Sequence, residues 1–200
     1  MDTDNDSHRQ RMQRRKEAFE ARRARATREK GLLIVHTGAG KGKTTAALGM
    51  AFRALGQGMK VGIVQFIKGA IVTGEALLAK EFPERLAFFT MGDGFTWNTQ
   101  NRDKDIASAR RAWEQAVALL HDPTVHLVIL DELNVVLHYD YLPIQEVLHE
   151  LQSRRADLHV VVTGRNAKKE LVAAADLVTE MKLVKHPYRE GIKPQPGIEF

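Results

Sequence analysis

The run Thr37-Gly38-Ala39-Gly40-Lys41-Gly42-Lys43-Thr44-Thr45 sets glycines, lysines and hydroxyls in an order suited to holding phosphate. It follows the all-apolar run Leu32–Val35, which reads as a buried strand. It precedes an Ala-rich helical stretch that runs to Leu55 and stops at Gly56. Strand, glycine loop, Lys-Thr and helix is the context that a P-loop requires. Glycines let the backbone turn its N–H groups inward, and the positive end of the next helix adds to that field. Lys43 brings a full charge and Thr44 a hydroxyl for Mg²⁺ or Mn²⁺. The loop departs from the general pattern, because Thr37 stands where the first glycine is usual. Lys41 is also a second lysine.

A second element fits the first. His126-Leu127-Val128-Ile129-Leu130-Asp131-Glu132 is an apolar strand that delivers two carboxylates to its carboxyl end, where open α/β sheets bind ligands. Asp131 and Glu132 are candidate metal ligands with Thr44. The plain structural alternative is that the acids sit at a helix N-terminus, stabilised by its dipole. The stretch from Met91 to Gln100 has two glycines, Phe95 and Trp97, several hydrogen-bonding side chains and no helical period. Such aromatics can plug a core, line the wall of a large planar ligand or stack on bases.

These residues need a scaffold. Strands are predicted at 32–35, 61–67, 86–91, 127–130, 160–162 and 177–178. Helices are predicted from 45 to 55, over 106–120, over 143–153 with Pro143 in the first turn, and over 166–175. The tail with Pro187, Pro194 and Pro196 is expected to be irregular. Strands that alternate with helices argue for a mostly parallel α/β sheet of the P-loop type.

The chain has 200 residues, 44% of them apolar, and no cysteine, which excludes disulfides, thiolate metal sites and a cysteine nucleophile. No apolar run is long enough to span a membrane, and no secretory signal core opens the chain, so a cytoplasmic setting is expected. The net charge of +5 suggests a polyanionic partner. Most of that charge sits in residues 1–30, where ten Lys/Arg face six Asp/Glu. The remainder is close to neutral. Residues 1–30 are expected to be a basic arm, helical over roughly 8–28, and residues 31–200 a single P-loop domain.

The run from His36 to Thr45, Val64–Gly69 and Gly94–Gln100 together resemble the P-loop class of corrinoid adenosyltransferases. Leu130–Leu133, Tyr139–Pro143, Thr163–Arg165 and Val184–His186 extend the likeness over nearly the whole chain, and the aromatic loop is its specific part. The resemblance implies a RecA-like P-loop fold and a homodimer of vitamin B12 biosynthesis or salvage. It implies transfer of the 5′-deoxyadenosyl group of ATP to the cobalt of a reduced corrinoid, with release of triphosphate. It places Gly38, Ala39, Gly40, Lys41, Gly42, Lys43, Thr44 and Thr45 on a triphosphate that lies reversed relative to ordinary P-loop enzymes. Metal falls to Thr44, Asp131 and Glu132, and the nucleotide to Arg53 and Arg165. Phe95 and Trp97 face the corrin, and the arm closes over the site. A Cys-free chain has no evident redox relay, so a flavoprotein, flavodoxin-like donor is expected. Ala39, Ile71 and Asn98 stand where family members often carry other residue types.

Adenosyl transfer by this reading involves neither nucleic acid nor membrane. The alternative is a RecA-like ATPase driven by nucleic acid, with the basic arm and the aromatics as its contact surface. A third option is a nucleotide-gated binding protein without turnover.

Overall fold

The computed structural model describes residues 2–67, 73–92 and 101–199. It divides into two compact units, Met1–Lys30 and Gly31–Phe200.

The first unit is helix α1, Asp2–Arg25. It begins earlier and ends earlier than the expected 8–28. Arg22, Arg23 and Arg25 suit the negative end of the helix. Pairs four residues apart support it, with Gln13 Nε2 donating to Glu17 Oε1 at 2.9 Å and Lys16 near Glu20 at 3.9 Å.

In the second unit the apolar runs become strands β1 Leu33–Thr37, β2 Val61–Gln65, β3 Leu86–Thr90, β4 Leu127–Asp131, β5 His159–Thr163 and β6 Leu177–Glu180. They form one sheet in the order β3-β2-β4-β5-β1-β6, and every pairing is parallel. The helices are α2 Lys43–Gly56, α3 Gly74–Ala79, α4 Arg102–His121, α5 Leu133–His138, α6 Ile144–Ser153 and α7 Lys169–Ala174. The expected strands and helices are all present. Helix α3 had no clear apolar period to announce it. The tail carries one short 3-10 turn, Pro187–Glu190.

Alternation along each strand builds two cores. Leu33, Val35, Val128, Leu130, Val160 and Val162 face one side, against Ala112, Trp113 and Ala116 of α4 and Leu133 and Val136 of α5. Ile34, Ile63, Ile129 and Val161 face the other side, against α2. Helix α2 presents Ala47, Ala51 and Ala54 to the sheet, spaced four and three residues apart, so its backbone can lie close to the strands. That close seat aims the N-terminus of α2 at the carboxyl end of the sheet. The order also matters for chemistry. Strand β5 separates β1 from β4, so the strands that lead into the glycine loop and the acids run two strand spacings apart, about 10 Å.

Gly31 opens this unit with its N–H donating to Ala156 O at 2.6 Å, and a Cβ there would stand 2.2 Å from Leu158 O. Gly49, inside α2, has no atom within 4 Å of such a Cβ. Gly31→Ala should therefore lose about 1–3 kcal/mol in urea unfolding, whereas Gly49→Ala should gain about 0.5–1 kcal/mol.

Candidate functional site

The carboxyl ends of β1, β2, β4 and β5 bring polar side chains into an otherwise apolar sheet. His36, Gln65, Asp131 and Thr163 are all buried, Asp131 and Thr163 completely. A buried carboxylate is costly unless its oxygens are satisfied. Here they are. Thr44 Oγ1 donates to Asp131 Oδ1 at 2.8 Å, and Thr163 Oγ1 donates to the same oxygen at 2.7 Å. Gln65 Nε2 donates to Asp131 Oδ2 at 3.1 Å. Asp131 thereby ties β4 to β5, β2 and the first turn of α2.

Glu132 follows in the left-handed region, with φ 65°, and heads α5. Only a few non-glycine residues adopt this backbone, and it is found often at functional sites. Glu132 N donates to Thr163 Oγ1 at 3.0 Å, so that hydroxyl accepts from one acid's backbone and donates to the other acid's carboxylate. Gly164 permits this packing. Its φ is 124°, and a Cβ there would lie 3.2 Å from Glu132 Oε2 and 2.9 Å from Asn134 Cβ. Asn134 is fully buried and donates to His36 O at 3.3 Å and Gly164 O at 3.1 Å, joining the ends of β1 and β5.

The glycine loop spans Gly38 to Gly42, and both of those glycines have positive φ, 96° and 100°. Gly42 starts α2 and has no side chain to cap it, so the first-turn N–H groups await an acceptor. An anion can supply one. Lys43 is buried and folds back over the loop, donating to Gly38 O at 2.9 Å and Gly40 O at 2.6 Å. Burial holds its pKa below the usual 10.5. Glu132 and Asp131 oppose that shift, while Arg165 and Lys41 reinforce it. The His36 ring nitrogen Nδ1 lies 3.2 Å from Lys43 O and so pins the lysine backbone. Gly40 N donates to Met181 O at 2.6 Å, so that amide is committed to the chain's own backbone.

Of the residues expected at the site, Gly38, Gly40, Lys41, Gly42, Lys43, Thr44, Asp131 and Glu132 gather at this end of the sheet. Ala39 and Thr45 are exposed on the same loop and helix turn. Arg165 is exposed and lies within electrostatic reach of Lys43. Arg53 is in the last turn of α2, about 15 Å along the helix from Lys43, and the fold does not bring it to the loop. Phe95 and Trp97, with Ile71 and Asn98, lie outside the described residues. His36, Gln65, Asn134 and Thr163 were given no site role, although His36, Gln65 and Thr163 stand in runs that carry the family likeness. A polar residue that closes an otherwise apolar strand, as in all but Asn134, is the signal that could have found them.

Residues 29–200 match the family model of ATP:corrinoid adenosyltransferases BtuR/CobO/CobP. The chain is similar to a corrinoid adenosyltransferase of Pseudomonas aeruginosa, 54% identical over 193 residues, covering 96% of this chain and 95% of that one. It is 51% identical over 199 residues to a corrinoid adenosyltransferase of Sinorhizobium sp, covering 98% and 93%. A third, from Escherichia coli K12, is 47% identical over 193 residues, covering 96% and 97%.

Two outcomes follow from the geometry. Asp131→Asn turns one acceptor oxygen into a donor that faces other donors, and should cost the ligand-free protein about 1–3 kcal/mol in urea unfolding. The Lys43 ammonium is the charged form that an oxyanion needs. Affinity for inorganic triphosphate, measured by calorimetry from neutral to alkaline pH, should therefore fall as pH rises through a lysine pKa below 10.5.

Proposed function

The chain belongs to the ATP:corrinoid adenosyltransferase family, and from that premise we propose that it transfers the 5′-deoxyadenosyl group of ATP to the Co(I) of a reduced corrinoid. The observation that carries this is the phosphate loop, in which two lysines and an uncapped helix start converge beside a buried carboxylate.

The reaction makes modest demands on protein groups. The Co(I) electron pair forms the Co–C5′ bond, and the C5′–O5′ bond pair leaves with triphosphate. No proton moves in that step, so no general base is needed. What is needed is alignment of two substrates and neutralisation of a leaving polyanion. Lys43 and the first-turn amides of α2 lie where a triphosphate oxygen would replace the loop carbonyls that the ammonium now contacts. Arg165 adds charge from the β5 loop. Arg53 stands apart from the loop, in the last turn of α2.

A divalent metal fits the donor set. Thr44 Oγ1 and the Asp131 carboxylate are hard oxygen donors 2.8 Å apart, with Glu132 next in sequence. Among the described residues no three His, Cys, Asp or Glu cluster. This suits Mg²⁺, which keeps several waters and takes one or two carboxylates plus substrate phosphates. Thr44, Asp131 and Glu132 would hold it, and when bound it supplies countercharge to the triphosphate.

Phe95 and Trp97 are assigned to the corrin face by family likeness, as an apolar wall that disfavours a lower axial ligand. With no cysteine in the chain, electrons come from outside, and a flavoprotein is the proposed donor. The proposed setting is cytoplasmic, and no described helix is long and apolar enough to cross a membrane. A homodimer is proposed on the family pattern. The exposed apolar side chains Phe52 on α2 and Leu177 on β6 support a covered surface.

Incubation with ATP, Mg²⁺ and chemically reduced corrinoid should yield triphosphate and a light-sensitive cobalt–carbon product. Diphosphate with phosphate would support the nucleic-acid ATPase reading, and unchanged ATP a binding protein. Lys43→Ala should lower turnover by about 10²–10³-fold. Trp97→Ala should impair adenosylation while ATP binding survives. If Phe95→Ala and Trp97→Ala both leave adenosylation unchanged, the aromatic wall is wrongly assigned.

A further inference from the structure

The second loop lysine, Lys41, is engaged by the chain's own C-terminal segment. Just beyond β6, Met181 N donates to Thr37 O at 2.8 Å, and Gly40 N donates to Met181 O at 2.6 Å. The segment forms a wall against the loop. A Cβ on Gly40 would stand 2.7 Å from the carbonyl oxygens of both Met181 and Lys182, and one on Gly38 would stand 2.5 Å from Met181 O. Farther along the same segment, the Glu199 carboxylate pairs with the Lys41 ammonium.

The two loop lysines are therefore held in different ways. Lys43 is buried and bonded to carbonyls of its own loop. Lys41 is largely exposed and is held by a carboxylate, an oxyanion of the same chemical kind as a phosphate oxygen. One ammonium cannot serve both anions fully. Transfer also sharpens the competition, because breaking C5′–O5′ leaves triphosphate with one more negative charge than ATP carried. The product is then the anion that a cationic loop would retain most strongly.

We propose that Glu199 is a resident competitor for Lys41. It pairs with the ammonium when no phosphate is bound, yields it to the triphosphate of ATP, and reclaims it as inorganic triphosphate departs. The C-terminal segment thus tunes polyphosphate affinity and favours product release. This rests on the phosphate-site reading above.

Calorimetry of inorganic triphosphate binding to the full chain tests it. Glu199→Gln should tighten the dissociation constant about two- to fivefold, the range for an exposed ion pair. In a Lys41→Ala background the same change should have no effect. Glu190→Gln, whose carboxylate pairs with Lys185 at 3.2 Å, should leave binding unchanged. The proposal is overturned if Glu199→Gln leaves binding unchanged or weaker. An equal shift with Lys41 absent, or an equal shift from Glu190→Gln, overturns it too. Wild-type protein that binds no triphosphate would overturn the phosphate-site reading as well, and that result is read before any variant.

Discussion

The buried carboxylate of Asp131 is the constraint on which the site depends. A fully buried anion survives only with its oxygens satisfied. Thr44, Thr163 and Gln65 satisfy them from three different elements. The requirement therefore works in reverse as a positioning device. It holds the start of α2 against the ends of β4 and β5, although β1 and β4 are not neighbours in the sheet. Thr163 extends the lock to the Glu132 backbone, whose left-handed turn redirects the chain into α5. The proposed phosphate site is thereby braced by bonds from several elements of the fold.

The glycine loop answers two demands at once. A P-loop needs glycine for positive φ and close approach to phosphate. Gly42 serves the first, at φ 100°, where it opens the helix. Gly38 and Gly40 also face the carbonyls beyond β6, where a Cβ would collide. The backbone beyond β6 packs against this side of the loop, and the Gly40 amide is committed to it.

Much of this was legible before folding. The parallel sheet, its helices, the loop and the acidic strand end follow from apolar runs and turn residues, because each depends on neighbours in sequence. Lys43, Thr44 and Asp131 could be named as partners from motif order alone. The bonds of Asp131 to Gln65 and Thr163 could not, since they depend on which strands become neighbours. The contact of Glu199 with Lys41 spans 158 positions and left no pattern. Arg53 lies close to the loop in sequence, and the rise of the helix sets it about 15 Å from Lys43.

The central claim is that the site breaks the C5′–O5′ bond of ATP and leaves the phosphoanhydrides intact. ATP labelled with ¹⁸O at the 5′ oxygen tests this directly when it is turned over with reduced corrinoid. Mass spectrometry should find the label wholly in inorganic triphosphate and none attached to the adenosyl group. Label that stays with adenosine, in a diphosphate or free nucleoside product, would contradict it.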